Sequence, residues 1–262
     1  MRTCLLPLAT LALATQAVAQ SEPEPLEREP IRKRVYLGPQ ISPATPGAKS
    51  LSFGPLIDVS RARSDEPFEF EAPDESFGFT FLRGSGVEAG LALGFEGKRR
   101  REDIDLPLHE VGFSFEIGGF VQTQLTEQLR IRAETRKAVS GHRGWIGEVS
   151  LDQVWRDGDR WLLSIGPRVV LADTRYHRAY YGVTAADRIA TGLAAFDPKG
   201  GIESVGVTAG YLRQLTRRWG VAAFARYDRL VGDAADSPYV RAAGSRSQPS
   251  VGLALSYTFS GR

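Results

Sequence analysis

The final strand-length stretch leaves this chain the least freedom. Val251, Leu253, Leu255, Tyr257 and Phe259 alternate with Gly252, Ala254, Ser256 and Thr258. A period of two belongs to a strand, here with one apolar face and one small or polar face. Such a strand ending on an aromatic is the C-terminal signal of a bacterial outer-membrane barrel, although Ser260-Gly261-Arg262 follow it here. A barrel buries its apolar half outward in lipid and needs no membrane helix. None is available: after the first twenty residues the chain has no apolar run of the ~18 or more residues that a spanning helix requires.

The N-terminus predicts export. Arg2 supplies a positive charge, Leu5 to Ala14 form a short apolar core, and Ala17-Val18-Ala19 has the small-x-small pattern of a signal-peptidase site. Residues 1–19 therefore read as a signal peptide cleaved after Ala19. Residues 20–32 read as a Pro-rich periplasmic tail and 33–262 as the barrel. The one cysteine, Cys4, lies in the leader, so the exported chain is expected to have no disulfide and no Cys-ligated metal. A net charge of +2 is too small to argue for nucleic acid.

The alternation recurs. Leu129, Ile131, Ala133 and Thr135 oppose Arg130, Arg132, Glu134 and Arg136, and Val87, Ala89, Leu91, Leu93 and Phe95 oppose Glu88, Gly90, Gly94 and Glu96. A soluble sandwich can also alternate in this way. Trp145, Trp155, Trp161, Trp219 and Tyr257 fall near strand ends, as in the aromatic girdles of membrane barrels. Strand candidates are 33–40, 50–61, 65–72, 75–82, 85–97, 108–120, 126–138, 144–155, 160–171, 202–214, 218–230 and 248–259. The fold class is thus all-β, an antiparallel transmembrane β-barrel of about twelve strands, with ten as the alternative count. The short connections at 62–64, 83–85, 121–127, 156–160 and 214–218 fall on one side. The long ones at 98–107, 172–201 and 231–247 fall on the other, as periplasmic turns and outer loops do. Within 172–201, Thr184 with Asp187 makes a capping-box start for a short helix over 185–190, with Gly192 to close it.

Two outer loops carry most of the functional signal. One holds Asp173, Tyr176, Tyr180-Tyr181-Gly182-Val183-Thr184, Thr191-Gly192-Leu193 and Phe196. The other holds Leu230-Val231-Gly232-Asp233-Ala234-Ala235-Asp236-Ser237-Pro238 and Gly244-Ser245. With Ser140-Gly141-His142 and the terminal Leu255 to Phe259, these resemble the MipA/OmpV family of outer-membrane proteins, the MltA-interacting proteins. The likeness runs from about residue 110 to the end. Earlier, Gly38-Pro39-Gln40-Ile41 stands where the family opens with a Tyr-x-Gly-Ser type motif. The resemblance implies a protein of the Gram-negative outer membrane. In the family's best-known member it implies a scaffold between a murein-degrading lytic transglycosylase and a murein synthase. Other members are described as adhesins or as stress- and antibiotic-associated proteins.

No catalytic set stands out. His109, His142 and His177 are the only histidines, and Ser140 and His142 flank a glycine in a connection where small polar residues form turns. Asp233 and Asp236 lack the regular spacing of a calcium loop and read as turn formers or as partners of Arg188, Arg229, Arg241 or Arg246. Tyr180 and Tyr181 could stack on a ligand, but plugging the barrel mouth is the better reading for two adjacent bulky rings. Arg130, Arg132, Arg136 and Arg168, beside Glu88, Glu96, Glu134, Glu148 and Asp152, read as a salt-bridged lumen. The expectation is a non-enzymatic scaffold or structural protein without cofactor, in contact with outer-membrane lipid. A small pore or ligand-binding barrel is the alternative. Asp173, Tyr176, Tyr180, Tyr181, Gly182, Asp233, Asp236 and Ser237 are the candidate loop-closure, ligand or partner contacts. Asp233 and Asp236 should hold the two loops together over the mouth.

Overall fold

The computed structural model describes residues 31–63 and 66–260. The leader, its cleavage site and the tail up to residue 30 lie outside the described residues. Eleven strands form one antiparallel sheet: β1 (Ile31–Pro43), β2 (Leu51–Arg63), β3 (Phe77–Gly84), β4 (Val87–Glu96), β5 (Ser114–Gln124), β6 (Leu129–Ala138), β7 (Trp145–Asp157), β8 (Trp161–Ala172), β9 (Gly201–Gln214), β10 (Trp219–Leu230) and β11 (Ser247–Ser260). β1 takes in Ile31 and Arg32, which the sequence alone puts in the tail. Apart from β2 and β3, neighbours in sequence are neighbours in the sheet, and β1 also pairs with β11, with Val35 opposite Tyr257. This is an up-and-down wall, with β2 and β3 left as its two edges.

The faces follow the alternation. On β11, Leu253 is 63% exposed and its neighbour Ala254 only 6%. The outward row continues through Leu37, Phe53, Leu163, Ile165, Val205, Val207, Leu253 and Leu255, all exposed. Side chains this apolar facing away from the protein on strand after strand make a lipid-facing band. Trp145, Trp155 and Trp219 sit exposed near strand ends. The inward rows are polar, and the lumen holds buried Arg34, Arg130, Arg132, Arg168, Glu116 and Asp152.

The twelfth strand expected over 65–72 is absent: residues 66–76 form no strand. β2 runs toward the end of the sheet that carries the short turns, as its antiparallel pairing with β1 requires, and so does β3, through β4. The chain therefore climbs back between them, and it climbs inside the lumen. Phe68 lies 4.0 Å under the Arg34 guanidinium and Phe70 4.4 Å under that of Arg130. Asp74 bonds Arg168 at 2.9 Å and Arg226 at 2.8 Å. Period-two alternation is the same for a wall strand and for an extended plug; a lumen full of arginines captured this one, by cation–π and ion-pair contacts. The 108–120 candidate shortens too, since residues before Ser114 belong to an outer loop.

The molecule's hydrophobic cluster sits above the lumen, in the outer loops. Ala48, Ile104, Leu108, Val111, Tyr176, Tyr180, Tyr181, Ala234, Tyr239 and Val240 pack together there. Of five short helices, α1 (Arg101–Ile104), α2 (Thr174–Tyr181), α3 (Ala185–Thr191), α4 (Gly232–Asp236) and α5 (Pro238–Ala242), all but α3 contribute side chains to it. Only α3 is announced in the sequence; its capping box between Thr184 and Asp187 is formed in both directions and Gly192 closes it in the left-handed conformation.

Candidate functional site

The candidate residues converge on the outer mouth. Asp173 is the N-cap of α2, its carboxylate accepting from the Tyr176 N–H at 2.9 Å. That cap seats against Gly144, where an added Cβ would stand 2.5 Å from both Asp173 Oδ1 and the Tyr176 nitrogen. From this start α2 turns Tyr176, His177, Tyr180 and Tyr181 inward, all buried. The Tyr176 and Tyr180 rings lie 4.8 Å apart, and His142 packs edge-on to Tyr176 at 4.9 Å. Gly182 ends the helix, its N–H donating to the carbonyls of His177 and Arg178.

Neighbouring loops clamp this helix. The Tyr181 hydroxyl donates to the buried Glu203 carboxylate, and the Tyr181 carbonyl accepts from the fully buried Ser237 hydroxyl at 2.7 Å. The Tyr180 carbonyl accepts from Arg99 at 2.7 Å, while the other arm of that guanidinium donates to the His109 carbonyl at 2.8 Å. The Asp233 carboxylate accepts from the Lys199 N–H at 2.7 Å, joining the two long loops from side chain to backbone. Asp236 pairs with Arg241 at 2.7 Å and Arg246 at 3.5 Å, but its side chain is 56% exposed. Asp236 thus belongs to the surface of its own loop, while Asp233 bridges. Arg188 and Arg229 bond neither aspartate among the described contacts; Arg229 donates to Ser247 at 2.9 Å.

Several clamp residues are illegible in the sequence. Arg99, Glu203, His109 and Gln248 stand in no motif, because their partners lie up to two hundred residues away. Gln248 receives the Gly47 N–H and donates to the Ala48 carbonyl, tying the first outer loop to β11. Asp187 is read from sequence only as a capping residue, yet it also accepts from the His109 N–H at 2.7 Å and faces its imidazole Nδ1 at 2.8 Å. Burial works against the Asp187 charge, but bonds from Thr184 and His109 overcome it and hold the carboxyl down to about 2. His177 moves the other way: burial lowers it from its ordinary value, only partly opposed by its bond to the Lys199 carbonyl.

Ser140 and His142 do not form a nucleophile–base pair. The Ser140 hydroxyl donates to the Phe113 carbonyl and accepts from the Phe115 N–H, both at 3.0 Å. His142 Nδ1 accepts from the Gly144 N–H at 3.0 Å, which leaves the proton on Nε2, facing Glu116 at 2.9 Å. Both side chains are structural staples at the top of β5 and β6. Among the described residues, no group of three or more His, Cys, Asp or Glu side chains is placed to hold a metal ion.

Beneath the clamp lies a cavity of about 1120 Å³, lined from above by Tyr176, Tyr181 and Glu203 and from below by Asp74, Glu75 and Ser76. Its walls carry a dense ion-pair lattice. Arg168 joins Asp74 to Asp152, Arg226 joins Asp74 to Glu148, and Arg136 joins Glu116 to Glu134. Removing one member of such a buried lattice strands its partner and costs about 3–5 kcal/mol.

Comparison with known proteins gives one extended match: the family described as MltA-interacting protein MipA fits residues 35–259. Among curated proteins, none matches this chain in sequence. Solved structures that resemble it are bacterial outer-membrane barrels. The N-terminal β-barrel domain of Pseudomonas aeruginosa OprF is 11% identical, covering 68% of this chain and 100% of that one, with a TM-score of 0.28. An outer membrane channel from Pseudomonas putida is 10% identical, covering 91% and 100%, with a TM-score of 0.35. The Ralstonia pickettii toluene transporter TbuX is 8% identical, covering 90% and 91%, again at 0.35.

Proposed function

Because the chain belongs to the MltA-interacting protein MipA family, we propose that it is a non-enzymatic outer-membrane scaffold that meets peptidoglycan-processing enzymes at its periplasmic rim. The family's description supplies the class of partner, a lytic transglycosylase, and the resemblance of its loops adds a murein synthase. The supporting observation is the distribution of accessible chemistry. The outer mouth is filled by a packed tyrosine cluster, and the lumen arginines are engaged by carboxylates and by the inner segment. Among the described residues, what remains open to a macromolecule on the cell side is the rim of short turns, where Arg61, Arg63, Arg160, Arg213 and Arg217 are exposed. A rim rich in guanidinium groups suits acidic patches on a protein partner.

A photo-crosslinker placed at Arg217, in the turn between β9 and β10, tests this in intact cells. The expected result is a covalent adduct with a lytic transglycosylase, lost when the flanking Arg213 and Arg218 are replaced by Glu. Failure to capture any murein enzyme from that turn, from the β7–β8 turn, or with the purified enzymes would overturn the scaffold reading. A pore or ligand-binding barrel would then lead.

A further inference from the structure

The cavity beneath the tyrosine clamp carries more acid than base. Ten carboxylates line it against five basic side chains, and two of those five, Lys33 and Arg61, stand exposed on the outward faces of β1 and β2. Arginines hold six of the ten: Glu69, Asp74, Glu75, Glu134, Glu148 and Asp228 are each ion-paired. The other four, Asp58, Glu71, Glu96 and Glu203, have no ion-pair partner among the described residues. Two of them have neutral donors instead: Asp58 accepts from the Val59 N–H at 2.8 Å and Glu203 from the Tyr181 hydroxyl. Carboxylates gathered in one hollow without counter-charge focus a negative field there.

The four are spread along the cavity. Glu96 ends β4 and Glu203 lies near the start of β9, both at the long-loop end, where Tyr176 and Tyr181 form the roof. Asp58 stands midway along β2, and Glu71 on the inner segment. Among the described residues no three acidic or imidazole groups converge on one point, so a single metal ion is a poor match for the set. Leu56, Pro73, Ile146 and Val170 add apolar wall. Separated carboxylates in a partly apolar hollow under aromatic rings complement ammonium groups spaced by methylenes. A second feature points the same way. Thr45, in the β1–β2 loop, is 2% exposed and lines the cavity, and its hydroxyl has no hydrogen-bond partner among the described residues. A buried hydroxyl left alone costs stability, and an ammonium donor in the cavity would satisfy it.

We propose that this cavity is a binding site for a linear polyamine, an organic polycation whose amines are spaced by methylene chains. Glu96 and Glu203 take one ammonium end beneath the Tyr176 and Tyr181 rings, Thr45 accepts an N–H, and Asp58 and Glu71 take the other end. A volume of about 1120 Å³ leaves room for such a chain beside the inner segment. The arginines stay in their pairs, because the ligand uses the carboxylates they leave over. Entry does not need the filled outer mouth. Glu71 is exposed, and so is Glu69 two residues before it, which pairs with Arg83 beside the β3–β4 turn at the short-turn end. The site goes beyond the scaffold reading and does not rest on it.

Calorimetric titration of the folded chain in a zwitterionic detergent with spermidine tests the site, at mildly alkaline pH where carboxylates are ionised and amines still charged. Spermidine should bind one per chain, at least about tenfold more tightly than propylamine or magnesium chloride at equal ionic strength. Glu96→Gln and Glu71→Gln, at opposite ends of the cavity, should each weaken it about tenfold. Glu102→Gln should leave it unchanged, since that side chain is 71% exposed on α1 and outside the cavity. A readout on the unaltered chain needs no variant to fold: spermidine should raise the temperature at which the folded band converts on unboiled gels, and magnesium should not. Absence of spermidine binding, equal binding of magnesium, or a cavity substitution that leaves the affinity untouched would overturn the proposal.

Discussion

Asp187 concentrates more bonds than its place in a four-residue capping box suggests. It accepts from the Thr184 backbone and hydroxyl and from the His109 backbone, and it faces the His109 ring. Its folded-state value of about 2 lies below the ordinary 3.8, so its stabilising contribution is fully present above pH ~4 and is lost as pH falls through about 2. The depression corresponds to on the order of 2 kcal/mol. Asp187→Asn keeps the shape but gives up the charge, and one of its oxygens becomes a donor facing the Thr184 or His109 donors. The outer cap should lose about 1–3 kcal/mol at neutral pH. Protection of loop 97–113 against hydrogen exchange would read this. The wild-type advantage should shrink between pH 4 and pH 2, and an unchanged gap across that range would show that Asp187 acts by shape alone.

At the scale of elements, α2 depends on a neighbour that is not part of it. Gly144 leaves room for the Asp173 cap, and a methyl group there would meet backbone and carboxylate at 2.5 Å. Gly144→Ala should therefore push α2 off its seat, costing about 1–3 kcal/mol of cap stability. Limited proteolysis within 173–200 should speed up while the barrel band on gels stays intact; equal proteolysis rates would mean that the loop yields without strain. The same dependence explains what could be read beforehand. The strands and α3 carry their signals locally, in alternation and in Thr184 with Asp187. Helices α4 and α5, five residues each, have no side-chain cap bond and form because Ala234, Ala235, Tyr239 and Val240 bury against α2 and its surroundings. Short helices of this kind are made by packing, not by propensity. Residues 66–72 read as a strand for a sound reason, since their alternation is that of one. The arginines that draw them inward, Arg34 and Arg130, lie elsewhere in the chain.

For the whole molecule, the polar lumen and the apolar cap divide the labour of a barrel whose outer face is in lipid. The wall is held by ladders of backbone bonds from β2 round to β3, and the cap by a small water-soluble kind of core around Tyr176, Tyr180, Tyr181 and Tyr239. Damage to the cap should therefore leave assembly alone and show in the temperature at which the folded band converts to the unfolded one on unboiled gels. Asp233 and Asp236 separate the contributions. Asp233 bridges two loops through the Lys199 N–H, whereas Asp236 and Arg241 are 56% and 59% exposed, and exposed pairs are worth about 0–1 kcal/mol. Asp233→Asn should lower the conversion temperature by a few degrees, since its bond, though exposed, crosses between the two loops and is worth about 0.5–1.5 kcal/mol. Asp236→Asn should move it little, and the double variant should track Asp233→Asn alone. All three should still insert and give a β-rich circular dichroism spectrum. If Asp236→Asn proves the more damaging change, the two loops are held by their surface charges, and the buried Tyr181–Ser237 contact and the Asp233–Lys199 bridge merely follow.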